Sequence, residues 1–266
     1  MYRFNYHKPS SLEEAVSLFQ NADDAMYLSG GMTLIPTMKQ RLAAPTDVID
    51  LTNIDGLSGI QVTDDHLSIG ALTRHNQVAE SPDVQQTLPV LGKLAGLIGD
   101  NQVRNRGTIG GSVANSDPAA DYPAAVVGLG GRVVTQERTI EGDDFFLDLF
   151  ETALKPGEIL TRIEFPIPRR AAYQKFPNPA SRYAVVGVLV AEFPDGIRVG
   201  VTGAGPCAFR ATTIEELLNG NLRPEALDGV EVPEAGFNSD LHASAEYRAH
   251  LVKVMARRAV ASLLQV

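Results

Sequence analysis

The groups that could do chemistry concentrate in residues 104–121. The run Arg104-Asn105-Arg106-Gly107-Thr108-Ile109-Gly110-Gly111-Ser112-Val113-Ala114-Asn115-Ser116-Asp117-Pro118-Ala119-Ala120-Asp121 sets a Gly-Gly pair among small polar residues and carboxylates. Glycine lets backbone N–H groups approach a ligand closely, and successive N–H groups form a nest that suits an anion. A glycine-kinked bend between packed strands has no need of Thr108, Ser112, Asn115, Ser116, Asp117 and Asp121 together, so a ligand site is the stronger reading. A second segment, Leu28-Ser29-Gly30-Gly31-Met32-Thr33-Leu34-Ile35, has the same character. By itself it reads as a tight strand-to-helix turn or as a pyrophosphate loop whose amides and following helix N-terminus meet the anion. Neither segment has the spacing of a nicotinamide-type G-x-G-x-x-G or a Walker loop. Two such loops suit a ligand with two phosphates, a dinucleotide.

The remaining candidates each carry a plainer alternative. Asp121 precedes an apolar helix, so it reads as a helix cap, as an acceptor for ribose or adenine, or as both. Arg104 and Arg106 are either solvated surface or contacts to a phosphate or partner. His75 reads as a helix-surface residue rather than a catalytic base. Lys175 is surface charge or a group reaching back to a cofactor from a second domain. Cys207 has no base near it in sequence and reads as a small buried apolar residue. It is also the only cysteine, so this chain closes no internal disulfide and holds no iron–sulfur cluster. The five histidines are scattered without metal-ligand spacing. No metal ligand and no catalytic residue is expected, and any redox metal belongs on another chain.

The elements that must position these groups follow from patterning. Ser11 and Glu14 form a capping box ahead of an amphipathic helix over residues 12–20. Ala25 to Leu28 reads as a strand entering the first loop, Thr33 to Arg41 as the helix leaving it, and Asp47 to Leu51 as a second strand, giving a small β-α-β-like unit. Residues 59–62 and 66–70 form a hairpin. Residues 73–98 are expected to be mostly helical, followed by the main glycine segment, a helix over Tyr122 to Leu129 and a strand over Gly131 to Val134. Glu158 to Pro166 alternates at period two and stops at proline. The run 166–170 marks a boundary. Beyond it lie strands near 183–193 and 197–203 around the turn Pro194-Asp195-Gly196. A threonine-capped helix near 212–219 and a closing helix from about 243 to 264 complete the chain.

With 266 residues, 44% of them hydrophobic, the chain can bury a substantial core as one large or two modest domains. A net charge of −9 disfavours nucleic acid or an anionic membrane as partner. No apolar run reaches the roughly 20 residues of a membrane span, and the first residues lack the apolar region of a signal peptide, so the expected location is cytoplasmic.

In order, Ser29-Gly30-Gly31-Met32-Thr33, Gly70-Ala71-Leu72-Thr73, Val103–Asp121, Pro156-Gly157-Glu158-Ile159-Leu160, Tyr173-Gln174-Lys175-Phe176, Gly203-Ala204-Gly205-Pro206 and Phe209-Arg210-Ala211-Thr212 span nearly the whole chain. This ordered set resembles the FAD-binding medium subunit of the molybdenum hydroxylases, the xanthine dehydrogenase and carbon monoxide dehydrogenase type. The resemblance implies an α+β flavoprotein of the p-cresol methylhydroxylase (PCMH)/vanillyl-oxidase fold. Its FAD-binding domain would cover 1–168, with subdomains of about 1–52 and 53–168, and a smaller α+β domain would cover 169–266. FAD would lie between the two subdomains. Residues Ser29, Gly30, Gly31, Met32 and Thr33, and Thr108, Ile109, Gly110, Gly111 and Ser112, match the phosphate-facing loops, with Leu34 and Ile35 alongside. Asn115 and Asp121 match cofactor hydrogen-bonding positions, Gly99 a close-approach position, and Leu160 and Lys175 positions near the flavin ring.

The resemblance also implies partners. The molybdopterin would sit on a large subunit and two [2Fe-2S] clusters on a small one, in a dimer of heterotrimers, with electrons passing through this chain's FAD to an external acceptor. A stand-alone FAD oxidoreductase of the same fold and a flavin-free structural subunit are the alternatives. Three positions depart from the family pattern: Ser112 stands where Asn is usual, Met32 where a polar residue or histidine is usual, and Arg182 where an acid is frequent.

Overall fold

A computed structural model describes residues 1–265; Val266, the last residue of the expected C-terminal domain, lies outside them. Three larger sheets organise these residues, beside a two-stranded one of Phe146–Asp148 and Glu151–Thr152. The first is parallel: Asp47–Asp50 lies between Asn5–His7 and Ala25–Leu28. The helix Leu12–Gln20 connects its outer strands, and Leu34–Lys39 follows the first glycine loop. Ser11 caps the first helix through the Glu14 N–H, while the Glu14 carboxylate reaches Ser10 rather than Ser11.

The second sheet is antiparallel and orders Ile60–Val62, His66–Gly70, Leu160–Pro166, Arg132–Thr135 and Thr139–Glu141. Residues 73–98, expected to be mostly helical, form the helices His75–Glu80, Pro82–Thr87 and Pro89–Gly96, with Asn101–Arg106 beyond. Pro82 and Pro89 each sit at a helix start, where the missing N–H costs nothing and the fixed φ suits the first turn.

The third sheet orders Arg170–Pro177, Ala184–Phe193, Gly196–Thr202 and Phe209–Arg210. Residues 184–191 are an unbroken apolar run because both faces of the strand Ala184–Phe193 are covered. Val186, Val188 and Val190 pack in the core beneath the C-terminal helix Ala245–Leu263. Leu189 and Ala191 pack in the core of the second sheet. The helix Asp121–Gly128 closes that other face, and Gly128 and Gly200 allow its backbone to touch the sheet: a Cβ on Gly200 would meet the Gly128 backbone N at 2.6 Å. The C-terminal domain is therefore packed directly on the element that follows the main glycine segment. The helix Thr212–Gly220 is not capped by a threonine; Ala211 stands at its N-cap without a side-chain bond.

Candidate functional site

A cavity of ≈ 590 Å³ opens between the three-stranded and five-stranded sheets. It is lined by Ser29, Gly30, Gly31, Met32, Thr33, Leu34, Gly99, Thr108, Gly110, Gly111, Ser112, Asn115, Asp121 and Leu160. Three other expected site residues lie off its wall. Ile109 is fully buried in the core, the Ile35 side chain packs beneath Gly31, and Lys175 stands behind Asp121. Loops distant in sequence thus converge, and they do so through close backbone contact. A Cβ on Gly30 would overlap the Arg106 carbonyl and come within 2.8 Å of the Gly107 Cα.

The second glycine segment, expected as a loop, is the start of the helix Ile109–Asn115, with Thr108 as its N-cap, and the two segments use their N–H groups differently. In the second, the Ile109 N–H donates to the Thr73 carbonyl (3.0 Å) and the Gly110 N–H to the Ala71 carbonyl (2.8 Å). The Gly111 N–H donates to Thr108 Oγ1 (3.1 Å) and the Ser112 N–H to the Thr108 carbonyl (3.0 Å). With the His75 N–H on the Gly107 carbonyl (3.0 Å), this loop is zipped onto residues 71–75. In the first loop, no acceptor among the described residues meets the N–H of Gly30, Gly31, Met32, Thr33 or Leu34. Gly31 adopts φ +72, a left-handed conformation in which glycine carries no Cβ penalty. Thr33 makes no side-chain cap. A run of unpaired amides beside a cavity fits an anion such as a pyrophosphate, and all but that of Leu34, the first residue of the short helix, belong to the loop.

Hydroxyls complete the contact between the loops. Ser29 Oγ and Thr108 Oγ1 lie 3.1 Å apart, and a Cβ on Gly111 would stand 2.7 Å from the former and 2.9 Å from the latter. The missing side chain of Gly111 lets both hydroxyls close on its backbone at the cavity wall.

Asp121 is not a helix cap. Ala120 holds the N-cap position, and Asp121 is the first helical residue, with only 4% of its surface exposed. Its Oδ1 accepts from the Tyr173 hydroxyl (2.5 Å) and its Oδ2 from Lys175 Nζ (2.8 Å), both on the strand Arg170–Pro177. Burial pushes the carboxyl pKa up, opposed by Lys175 and Tyr173. Lys175 also donates to the Leu97 carbonyl (3.2 Å), so it reaches back from the C-terminal domain to hold the cavity wall.

Several wall residues were not among the expected site residues. His75 is 4% exposed, not a surface residue, and lines the cavity. Its ring lies under Gly107, where a Cβ would come within 2.5 Å of Nε2, and meets the Tyr122 ring at a tilt of 44°, the centroids 5.4 Å apart. Desolvation, with Arg104 adding, lowers its pKa to about 4. Asp117 lines the cavity too, its pKa raised by burial and its Oδ1 accepting from the Ala119 N–H (2.9 Å). On the opposite wall Glu158 accepts from Arg138 Nε (2.9 Å), which with the neighbouring Lys155 and Thr135 bonds holds its pKa down to about 2. The motif Gly70-Ala71-Leu72-Thr73 is the signal that points to this second wall, because its backbone carries the zipper.

Of the three departures, Met32 and Ser112 line the cavity. Arg182 sits at its mouth in the left-handed region (φ +63), with Nη1 3.4 Å from the Gly99 carbonyl. Arg104 is half-buried against the Ile98 carbonyl (2.9 Å) and lies off the wall, as does Arg106. Cys207 is half-buried against the core.

The family model for the FAD binding domain in molybdopterin dehydrogenase matches residues 2–168, and that for the CO dehydrogenase flavoprotein C-terminal domain matches residues 171–263. The chain belongs to this family. Among its relatives are the nicotine 6-hydroxylase medium subunit of Paenarthrobacter nicotinovorans, 35% identical over 96% of this chain and 95% of that one. The carbon monoxide dehydrogenase medium chain of Hydrogenophaga pseudoflava is 35% identical over 97% of this chain and 96% of its own. Among solved structures, reconstituted CO dehydrogenase from Oligotropha carboxidovorans superposes with a TM-score of 0.91 at 35% identity, covering 98% of each chain. The family fold is α+β, with an FAD-binding domain followed by a C-terminal domain. No helix among the described residues is long and apolar enough to cross a membrane.

Proposed function

We propose that this chain is the FAD-carrying medium subunit of a cytoplasmic molybdenum hydroxylase, receiving electrons from iron–sulfur clusters on a small partner and passing them to an external acceptor. Substrate oxidation belongs to a large molybdopterin-binding subunit, and two such heterotrimers form the complex. The observation that carries this reading is the set of five unpaired amides over residues 30–34 facing a ≈ 590 Å³ cavity in a chain of the FAD-binding family. Residues 1–168, with subdomains 1–52 and 53–168, form the cofactor-binding unit, and 169–266 the domain that supports it.

The residues divide the work of holding FAD. The amides of Gly30 to Leu34 bind the pyrophosphate, replacing the water that solvates them otherwise. Hydroxyls of Ser29, Thr108 and Ser112 and the Asn115 amide supply hydrogen bonds along the same corner. Asp121 retains lone pairs beyond those taken by Tyr173 and Lys175, so it can accept from a cofactor N–H or O–H while its orientation stays fixed. Gly99 and Leu160 give close approach and apolar contact. Bound FAD supplies the redox chemistry, and the protein supplies binding, orientation and electrostatics. The single cysteine agrees with clusters residing elsewhere.

Purification of the chain with its partner subunits, followed by visible absorbance and mass spectrometry of the released cofactor, tests this. FAD in a one-to-one ratio with the chain is expected. A colourless complex that takes up no added FAD would contradict it.

A further inference from the structure

The turn that carries Asp117 and Asp121 is held mainly from the C-terminal domain. The Gly203 N–H donates to the Pro118 carbonyl (2.7 Å) and the Ala184 N–H to the Ala119 carbonyl (3.1 Å). The hydroxyl of Thr202, which is fully buried, lies 2.7 Å from the Ala120 carbonyl and 2.9 Å from that of Pro118. These donors sit at the ends of the neighbouring strands Ala184–Phe193 and Gly196–Thr202, where the strands leave the sheet.

One side chain ties those strand ends together from behind. Arg248, 4% exposed, lies in the first turn of the C-terminal helix. Its Nη1 donates to the Val185 carbonyl (2.7 Å) and to the Gly203 carbonyl (2.7 Å), and its Nη2 to Asp240 Oδ2 (2.7 Å). Gly203 itself is at φ +86, and a Cβ there would meet the Val185 carbonyl oxygen at 2.5 Å, so the two strand ends are in direct contact. A buried guanidinium bonded to two carbonyls gives short charge-assisted hydrogen bonds with fixed fork geometry.

We propose that Arg248 is a positioning residue for the cofactor cavity, although it does not line that cavity. It fixes the ends of the two strands, the strand ends fix the Pro118–Ala120 carbonyls, and those carbonyls fix Asp117 and Asp121 on the wall. The inference rests on the reading that the cavity holds FAD. It assigns the C-terminal helix a part in cofactor affinity, beyond covering the sheet.

The test measures FAD dissociation constants by flavin fluorescence on the full chain, well below its unfolding temperature, alongside unfolding temperatures and the visible circular dichroism of the bound flavin. Arg248→Met and Thr202→Val are each expected to weaken FAD about tenfold, the scale of one lost buried hydrogen bond. The double variant is expected to be little weaker than either, because both act through one linkage. Arg248→Lys should restore most of the loss and the flavin signal, and Arg257→Ala on the exposed side of the same helix should bind as the unaltered chain does. If Arg248→Met does not fold, Thr202→Val and Asp240→Asn carry the test, the latter with a two- to threefold loss. Variants that melt earlier yet keep full FAD affinity, or losses that multiply in the double variant, overturn the inference. An unaltered chain that binds no FAD overturns the assignment of the cavity instead.

Discussion

Over residues 29–34, five consecutive N–H groups have no acceptor, whereas in the second glycine loop, which is wound into the capped first turn of the helix Ile109–Asn115, four consecutive N–H groups are bonded to Thr73, Ala71 and Thr108. Both loops carry a Gly-Gly pair followed by a small or apolar residue, and both line one cavity. The difference lies in their neighbours. Residues 71–75 run beside the second loop and take its donors, while residues 106–107 pack against Gly30 of the first and take none of its donors. On the reading proposed above, the first loop is a cradle for an anion and the second a brace that sets where the cradle stands. The glycines serve the two roles differently: Gly31 permits a positive φ, and Gly110 permits contact with the Ala71 backbone.

Breaking the brace should have the largest effect. A Cβ on Gly110 would stand 2.7 Å from both the Cα and the carbonyl oxygen of Ala71, atoms that cannot rotate away. Gly110→Ala should therefore destabilise the chain by about 3 kcal/mol, the upper range for overpacking, and abolish FAD retention with it. Thermal unfolding with and without FAD checks this; an unchanged unfolding temperature would mean the zipper is not structural.

Protonating His75 strikes the same brace from below. Its ring supports Gly107, with Arg104 and Tyr122 beside it. Its folded pKa of about 4 lies below the ordinary 6.5, so between those values the unfolded chain binds the extra proton. Stability then rises with pH across that window, and acidification from 6.5 through 4 removes it, on the order of 3 kcal/mol in full. Stability-versus-pH curves for the chain and for His75→Phe should diverge in that window, the variant losing this component of the slope.

Gly111→Ala separates cradle from brace. Its Cβ would displace the hydroxyls of Ser29 and Thr108, and turning Thr108 Oγ1 gives up its cap on the Gly111 N–H, a loss that offsets the preference of about 1 kcal/mol for alanine over glycine in the helix. The variant should unfold near the temperature of the unaltered chain yet bind FAD about tenfold more weakly, a cost of roughly 1.4 kcal/mol, because the two hydroxyls are displaced from the cavity wall. A smaller effect is expected of Thr108→Val, which removes the cap on the Gly111 N–H and costs about 1 kcal/mol of stability, read as a lowered unfolding temperature.

Both glycine segments and the strand and helix around the first were legible from local pattern, since glycine pairs and period-two or helical spacing are short-range signals; Leu34, Gly99 and Leu160 came from the ordered family resemblance, and the helix Ile109–Asn115 was not legible. What was not legible depends on contacts between distant segments. Asp121 has the sequence setting of a cap, but the helix begins at Asp121 itself, and its carboxylate turns to Tyr173 and Lys175 on a strand that the alternation of residues 170–177 did not announce. His75 follows two polar residues and looks solvated, yet Gly107 and Tyr122 enclose it. The bonding state of the second loop was hidden for the same reason, because its acceptors lie in the motif Gly70-Ala71-Leu72-Thr73.

Hydrogen–deuterium exchange at single-amide resolution, with and without FAD, addresses the division between cradle and brace most directly. The amides of Gly30 to Leu34 should exchange rapidly in the free chain and become protected when FAD binds. Those of Ile109 to Ser112 should be protected in both states. Protection that appears in the second loop on binding, with the first unchanged, would contradict the account.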